Sequence, residues 1–453
     1  MSVADSSPEI PWHLRGNYAP VEHELATFDL PVSGAIPPEL DGLYVRNGSN
    51  PKGGASSHWF FGDGMVHGVR IERGKALWYR NRYVKTPKLE RGLDAMDPAV
   101  MMDRTASAAN THVIGHAGRI LALEEGHFPF ELDGELETLG CRDYDGRLTT
   151  AFTAHPKLCP ETGELHFFGY GPVPPYLVYH VLDAGGELVH SEEIQVPGPT
   201  MMHDFIITRE HAIFMDLPVV FDLEKAMQGE VPIGWDESYG ARVGILPRMG
   251  RDSEIRWFEV DPCYVFHPMN AYTRDGKVVC DVGRHAYMWR DSMDDFAPSY
   301  LHRWTFDLAT GAVGEEQLDD VSHGFPRVDD RKVGLRNRYG WVVAERPGSG
   351  GIMDMDAPAV VTKYDLEKGT SISHDLGPHG HPAEFVFAQA SPDAGEDEGW
   401  AMGYVYDGAS DSSDLVILDA QNPAADAVAR IHLPQRVPFG FHGSWIRAED
   451  LPR

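Results

Sequence analysis

The sequence has few cysteines, few basic residues and no long apolar run. Its four cysteines lack CxxC spacing, which argues against a disulfide framework and a thiolate metal site: Cys141, Cys159, Cys263 and Cys280. Lys and Arg total 39 against 69 Asp and Glu, a net charge of −30, so we expect no nucleic-acid partner, because phosphate recognition needs a basic surface. Neither a membrane-spanning run nor a secretory signal stands out, so we expect a cytoplasmic protein.

Common catalytic motifs are missing as well. The sequence contains no HExxH, no GxSxG and no phosphate-binding P-loop. The most frequent zinc-protease, hydrolase and nucleotide-binding interpretations therefore have no local support.

Short runs rich in Val, Ile, Tyr, Phe and Trp recur along the chain and are broken by turn signals. Residues 71–86 and 273–283 are examples, with Arg-Gly and Asp-Gly at their turns, since Gly readily takes the positive φ of a tight hairpin. Helical periodicity is confined to about 88–110 and 221–227. A parallel α/β sheet would need many more helices, so the pattern predicts an all-β protein.

Many consecutive hairpins favour a closed β-propeller, which leaves no open sheet edge. Blades of about 40–60 residues would give six to eight blades over this length. A double β-sandwich is the competing architecture, because no WD or kelch signature is present. No linker composition divides the chain, so we expect one domain over residues 1–453, with the segment at about 88–110 inserted as a helical cap.

Histidine is abundant, with 22 residues. The densest group lies in a Gly/Pro-rich loop and is a weak metal candidate: His374, His379 and His381. A second set occurs in strand-like aromatic contexts at roughly blade-length intervals, with a longer step before the last: His155 in FTAHPK, His203 in TMMHDFIIT, His267 in YVFHPMNAY and His442 in VPFGFHGSW. Each alone is typical of a buried core histidine, but the four together predict convergence on a propeller axis.

These four motifs, in this order, resemble the iron-ligand motifs of the carotenoid cleavage oxygenase family, which includes lignostilbene dioxygenases and the retinoid isomerase. The resemblance also covers PPELDGLYVRNGSNP (37–51), FGDGMVHGV (61–69) and NRYVKT (81–86). It implies a seven-bladed β-propeller with a cap of loops and short helices over an axial site. It further implies one Fe(II) per chain, dioxygen as co-substrate, and oxidative cleavage of a carbon–carbon double bond to two carbonyl products.

The resemblance extends to carboxylates behind the ligands, and such groups are needed because four neutral imidazoles leave the metal charge uncompensated. Two family glutamates match Glu125 and Glu384. The third position holds Gly324, in HGFPRVDD. We expect either His323 or a water to fill the gap, or the iron to be held less firmly.

Substrate residues can be carried over in the same way. In the stilbene-cleaving branch a Tyr and a Lys bind the phenol hydroxyl; the Tyr position matches Tyr83, whereas the Lys position holds Glu124. A carboxylate does not stabilise a phenolate, although Lys85 is a possible substitute. Thr111 resembles a pocket residue, and Phe61 is expected to line an apolar tunnel.

The cap segment carries three flexible apolar side chains, Met96, Met101 and Met102, which suit a long apolar substrate as well as ordinary helix packing. With the missing Lys, they favour a carotenoid or apocarotenoid over a stilbene or phenylpropanoid alkene. A metal-free interaction propeller is the alternative from another class. Peripheral membrane contact to extract the alkene is a further expectation, and no obligate protein partner is evident.

Overall fold

The structure is a computed structural model that describes residues 10–228, 231–346, 357 and 359–452. Seven sheets of four or more strands dominate these residues, together with one two-stranded sheet, Val219–Phe221 with Ile233–Trp235. The seven sheets are the blades of a β-propeller. The prediction of an all-β, seven-bladed propeller is therefore confirmed, and the double sandwich is wrong.

The first four blades are numbered here from the N-terminal side. Blade 1 consists of Ala26–Phe28, Gly42–Ser49, Gly64–Glu72, Lys75–Tyr83 and Gly443–Arg447. Blade 2 consists of His112–His116, Arg119–Leu123, Phe130–Leu132 and Thr138–Cys141. Blade 3 consists of Lys157–Leu158, Leu165–Tyr170, Leu177–Leu182 and Leu188–Glu193. Blade 4 consists of Ile206–Ile207, His211–Asp216, Arg242–Pro247 and Arg256–Glu259.

The remaining three blades complete the ring. Blade 5 consists of Tyr264–Arg274, Lys277–His285, Ser299–Asp307 and Val313–Gln317. Blade 6 consists of His323–Arg327, Tyr339–Glu345, Ala359–Asp365 and Thr370–Asp375. Blade 7 consists of Val32–Gly34, Gly380–Pro382, Val386–Gln389, Gly399–Asp407, Ser412–Asp419 and Ala429–His432.

The ring closes through strands from opposite parts of the chain. In blade 1, Leu43 pairs with Ile446, and in blade 7, Val32 pairs with Ile431. Each of these two blades therefore combines early and late residues, which ties the ends of the chain together and avoids an open edge. The closure also fixes His442, which immediately precedes the innermost strand of blade 1.

Sheet packing explains why several strands read as continuous apolar runs rather than alternating ones. All residues of Leu165–Tyr170 and of Leu177–Leu182 are buried, because both faces of an inner strand pack against neighbouring blades. The largest core cluster joins blades 3, 4 and 5 through residues such as Phe168, Phe214 and Trp304. This cluster supports the strands that carry three of the four predicted ligands.

The hairpin signals act as predicted. Arg73-Gly74 and Asp275-Gly276 form two-residue loops in which both residues have positive φ, 48° and 75° in the first and 53° and 74° in the second. Two positive φ values in succession match the twist of the flanking strands.

Helices are short. They are α1 (Pro87–Arg91), α2 (Pro98–Met101) and α3 (Leu223–Met227), accompanied by 3₁₀ turns at Trp12–Leu14, Gly16–Tyr18, Trp59–Phe61, Asp252–Glu254, Asp330–Lys332 and Ala448–Asp450. The predicted helical segment at 88–110 thus holds most of α1 and all of α2, with turns and extended chain between and after them. None of the helices in the described ranges is long and apolar enough to cross a membrane. The expectation of one domain over 1–453 includes residues outside the described ranges and stays a prediction.

Candidate metal centre and substrate cavity

Four histidines converge at the centre of the ring. Each lies within, or one to three residues before, the innermost strand of its blade: His155 in blade 3, His203 in blade 4, His267 in blade 5 and His442 in blade 1. Their potential ligand atoms all lie within 4.8 Å of one another. The longer sequence step before His442 spans blades 6 and 7, as the spacing predicted.

The ring nitrogens of His203 contact a carboxylate on one side and two other histidines on the other. Its Nδ1 donates to Glu125 Oε2 at 2.6 Å, which in the neutral ring leaves Nε2 as an acceptor. That Nε2 lies 2.9 Å from His155 Nε2 and 3.2 Å from His267 Nε2. Burial, followed by the neighbouring imidazoles, holds the pKa of both His155 and His267 well below the ordinary value. Imidazole nitrogens that face one another at these distances are arranged to hold a cation between them.

Glu384 supports His442 on the other side. It accepts from His442 Nδ1 at 2.9 Å and from the Gly443 backbone N–H at 2.8 Å, and it pairs with Arg327 at 3.2 Å. Burial alone would raise the pKa of Glu384, but Arg327 and His442 outweigh it and lower the pKa to about 2. Glu384 is therefore an ionised carboxylate.

Asp204 is a third carboxylate near the ligands, and sequence reasoning missed it. Its Oδ2 lies 3.6 Å from His155 Nδ1, and its Oδ1 accepts from Lys157 Nζ at 2.7 Å. The available signal was its position directly after His203 in MMHDF.

His267 has no such support. No carboxylate among the described residues hydrogen-bonds to it. Its ring stacks on Phe325, with centroids 5.8 Å apart. Phe325 has φ 52°, and the strand pairing is irregular between Gly324 and Arg327, a strained conformation that is frequent at functional sites. Neither ring nitrogen of His323 has a hydrogen-bond partner among the described residues, so His323 does not support His267 in place of the carboxylate. The other two alternatives, a water or a less firmly held iron, stay predictions.

A cavity of about 810 Å³ reaches His203, His267 and His442. Aromatic side chains form much of its wall: Trp59, Phe60, Phe61, Phe266, Trp289 and Phe441. From the cap, Met96, Val100 and Met101 line it, whereas Met102 does not and is 85% exposed. The apolar tunnel expected from the sequence is present.

A second cavity, of about 700 Å³, reaches His155, His267 and His442. Its wall is charged near the site, through Lys157, Asp204, Arg327 and Glu384. An uncharged, apolar molecule is therefore better matched by the first cavity than by the second.

Of the predicted substrate residues, Phe61, Thr111 and Glu124 line the first cavity. Thr111 Oγ1 donates to Asn110 Oδ1 at 2.9 Å. Glu124 is engaged by His127, with Oε2 2.6 Å from His127 Nδ1. Only the structure identified His127 as a cavity residue, although EEGH places it three residues after Glu124.

His127 is held as a cation. Its Nδ1 faces Glu124, and its Nε2 donates to the Val100 carbonyl in α2 at 3.1 Å. Two donating ring nitrogens require the protonated imidazole. Burial lowers the pKa of His127, but Glu124 outweighs burial and raises it above the ordinary value. The ion pair thus joins the cap to the loop that carries Glu125.

Two residues assigned to substrate binding from the sequence do not line this cavity. Tyr83 ends the fourth strand of blade 1 counted from the axis, its hydroxyl accepts from Asn50 Nδ2 at 2.7 Å, and it does not line the cavity. Lys85 is half-exposed and pairs with Glu137 at 2.9 Å. Neither residue is placed to bind a phenol hydroxyl in this cavity.

The comparisons with known proteins agree with this geometry. A seven-bladed propeller with four axial histidines defines a class of oxygenase-type enzymes, and the family model described as "Retinal pigment epithelial membrane protein" matches residues 18–447. The carotenoid cleavage oxygenase of Mycobacterium tuberculosis is 39% identical over 98% of this chain and 99% of that protein. Carotenoid 9,10(9′,10′)-cleavage dioxygenase 1 of Arabidopsis thaliana is 36% identical over 98% of this chain and 91% of that protein.

Solved structures show the same likeness. The lignostilbene dioxygenase of Pseudomonas brassicacearum is 31% identical with a TM-score of 0.89, covering 97% of this chain and 100% of that one. A variant of the Synechocystis apocarotenoid oxygenase is 28% identical with a TM-score of 0.86, covering 95% and 98%. The chain belongs to the carotenoid cleavage oxygenase family and is a dioxygenase-type enzyme.

Proposed function

We propose that this enzyme binds one Fe(II) through His155, His203, His267 and His442, and uses dioxygen to cleave a carbon–carbon double bond of a carotenoid or apocarotenoid into two carbonyl products. The observation that carries the proposal is the convergence of four imidazoles, three of them buried and that of His267 half-buried, beside an apolar cavity.

The donor set fits a metal ion. Two nitrogens bound at right angles to one metal at about 2.1 Å are about 3 Å apart, and the nitrogens of His203 lie 2.9 and 3.2 Å from those of His155 and His267. Four imidazoles leave further positions open on a metal that accepts six ligands. Iron bound here would supply the activation of dioxygen next to the alkene.

The protein's own side chains contribute position and exclusion of water. Glu125 and Glu384 fix the ring orientation of His203 and His442, which is the usual role of carboxylates behind metal-bound histidines. Phe266 stacks on His203 with ring centroids 3.9 Å apart, and the aromatic wall keeps the adjacent space dry. No acid or base needs to act on the substrate directly.

Two findings support a polyene as substrate. The cavity is large and mainly apolar, and the curated relatives are named for carotenoid cleavage. Glu124, paired with His127, stands where the stilbene-cleaving branch has Lys, and its charge disfavours a phenolate. A stilbene or phenylpropanoid alkene is the second candidate, because the lignostilbene dioxygenase is structurally so similar.

A peripheral membrane contact forms part of the proposal. Four large apolar side chains on α2 and α3, or directly after α2 in the case of Met102, are exposed: Met101, Met102, Leu223 and Met227. Met101 and Leu223 also line the cavity. An apolar rim at a cavity entrance would let a polyene pass from a lipid surface without crossing water. Neither a nucleic acid nor a protein partner is needed for this function.

Metal analysis combined with a product screen tests the proposal. We expect about one iron per chain after anaerobic Fe(II) loading, and carbonyl products by mass spectrometry from an apocarotenal, weakly or not at all from a hydroxystilbene. If the enzyme cleaved only the hydroxystilbene efficiently, the assignment of a polyene substrate would be wrong, whereas the assignment of the iron site would stand. Persistent failure to bind iron would favour a metal-free interaction propeller.

A further inference from the structure

A polar pocket interrupts the cavity wall between blades 5 and 6. His285, Ser299 and His323 line the cavity there. His285 and Ser299 are direct cross-strand partners, so their side chains lie on the same face of blade 5. A Cβ atom at Gly283 would lie 2.8 Å from Ser299 Oγ and 3.5 Å from His323 Cε1. Because glycine has no side chain, the space between these groups stays open.

His323 has unused hydrogen-bonding capacity. It is 1% exposed, and neither of its ring nitrogens has a hydrogen-bond partner among the residues described. Leaving a buried polar group unpaired costs about 1–3 kcal/mol. Native structures rarely accept this cost without a ligand or ordered water at the site.

His285 adds an acceptor to the pocket. Its Nδ1 donates to the Ala297 carbonyl at 2.6 Å, which leaves Nε2 with a lone pair. Burial lowers the pKa of both His285 and His323 to about 4, so both rings are neutral near pH 7. The pocket therefore offers neutral donors and acceptors and no charge to balance an anion.

We propose that His285, Ser299 and His323 bind a hydroxyl group of the alkene substrate, an inference that rests on the proposed cleavage function. A hydroxyl donates to His285 Nε2 and accepts from Ser299 or His323, whereas a carbonyl only accepts and a carboxylate brings an unbalanced charge. The substrate class is thereby narrowed to hydroxylated alkenes, first of all apocarotenoids with a hydroxylated ring.

The location of the pocket gives the contact a positioning role. The same Cβ position at Gly283 lies 3.1 Å from the His267 carbonyl oxygen, so the pocket adjoins the strand that carries a candidate metal ligand. A hydroxyl held there fixes the distance from the ring end of the substrate to the metal, and with it the double bond that is presented for cleavage.

Matched probes test the pocket. We would compare two apocarotenals of equal chain length, one with a ring hydroxyl and one without, by kcat/KM and by quenching of tryptophan fluorescence on binding. Ser299→Ala and His323→Leu should lower kcat/KM and affinity for the hydroxylated probe about tenfold or more, while the other probe stays within about twofold. His323→Gln keeps a donor and an acceptor and should retain the preference.

His374→Leu is the matched control. His374 is also buried, with Nδ1 bonded to the Pro423 carbonyl at 2.8 Å, but it lies on the outermost strand of blade 6. This variant should leave kcat/KM and affinity unchanged for both probes. Equal losses on both probes in Ser299→Ala and His323→Leu would overturn the hydroxyl site.

The experiment distinguishes a wrong assignment of the polyene substrate from a wrong assignment of the hydroxyl-binding pocket. If the wild-type enzyme binds iron but cleaves neither apocarotenal, the polyene assignment fails, and the same variants are compared with hydroxystilbene and stilbene. A hydroxyl preference that depends on Ser299 and His323 in that pair supports the pocket. A preference that survives both substitutions overturns it.

Discussion

Replacing Glu384 with Gln separates the contribution of a carboxylate to the metal site from its contribution to the fold. Glu384 is 2% exposed and accepts from His442 and the Gly443 backbone while pairing with Arg327. Gln keeps the shape but removes the charge. Breaking a buried ion pair from one side costs about 3–5 kcal/mol. Because Arg327 keeps Asp330 at 3.3 Å as a more exposed partner, we expect about 3 kcal/mol.

Glu125→Gln is the comparison variant. The side chain of Glu125 is 20% exposed, accepts from His203 Nδ1 and pairs with no Lys or Arg among the described residues. Its replacement should cost the metal-free protein only about 1 kcal/mol. Both variants should lower metal affinity about 10- to 100-fold, because each weakens the hydrogen bond that orients a ligand.

The two quantities are measured separately. Urea unfolding of the metal-free proteins gives the stability difference, and anaerobic Fe(II) titration gives the affinity. Equal stability of the two metal-free variants would refute the structural role of the Glu384–Arg327 pair. Unchanged iron affinity in both would refute the orienting role of the carboxylates.

Four further outcomes are expected. Single His→Ala changes at His155, His203, His267 and His442 should abolish iron binding and turnover together. If a variant keeps both, the histidine replaced in it is not a metal ligand. Gly324→Glu should tighten iron binding by giving His267 a carboxylate, and weaker binding would show that the irregular strand at Phe325 cannot accept it. Glu124→Lys should raise hydroxystilbene cleavage, although Tyr83 does not line the cavity. An unchanged rate would mean that the charge at position 124 does not select the substrate. His127→Gln should speed amide hydrogen exchange in α2. In the wild type, the ion pair between His127 and Glu124 stabilises α2 fully below pH about 6.5, and this stabilisation is lost as the pH rises through the raised pKa of His127. If the exchange rate of the α2 amides, corrected for intrinsic rates, did not depend on pH, His127 would not be the cation of this pair.

The propeller was predictable because its local signals are consistent. Turns such as Arg73-Gly74 and Asp275-Gly276 need glycine at positive φ, and the buried strands need uninterrupted apolar runs. The number of blades came from the family resemblance, since spacing alone allowed six to eight. The pairing of Val32 with Ile431 joins distant parts of the chain and carries no local sequence signal.

The site residues were predictable where they belong to short sequence motifs at or near the strands of the blades. The four histidines and Glu384 occupy short motifs within or beside innermost strands, and Glu125 closely follows the second strand of blade 2, so their convergence follows from the fold. Tyr83 was misplaced because its motif lies on an outer strand, where proximity in sequence to a family motif says nothing about distance from the axis. Asp204 and His127 were missed because their roles depend on contacts with Lys157 and Val100 that only folding creates.

Charge around the four histidines is distributed unevenly, and this bears on which substrates fit. Two of the three nearby carboxylates already have a cation, Glu384 with Arg327 and Asp204 with Lys157. Glu125 is therefore the carboxylate left to offset the charge of a metal bound beside His203. His267 faces an aromatic ring and, past its strand, a pocket of neutral groups. The apolar cavity reaches His203, His267 and His442, and of these three, among the described residues, His267 alone has no carboxylate hydrogen-bonded to its ring. The mainly apolar wall suits an uncharged polyene, whereas a phenolate would lose its hydration there and would meet the carboxylates of Glu124 and Glu125.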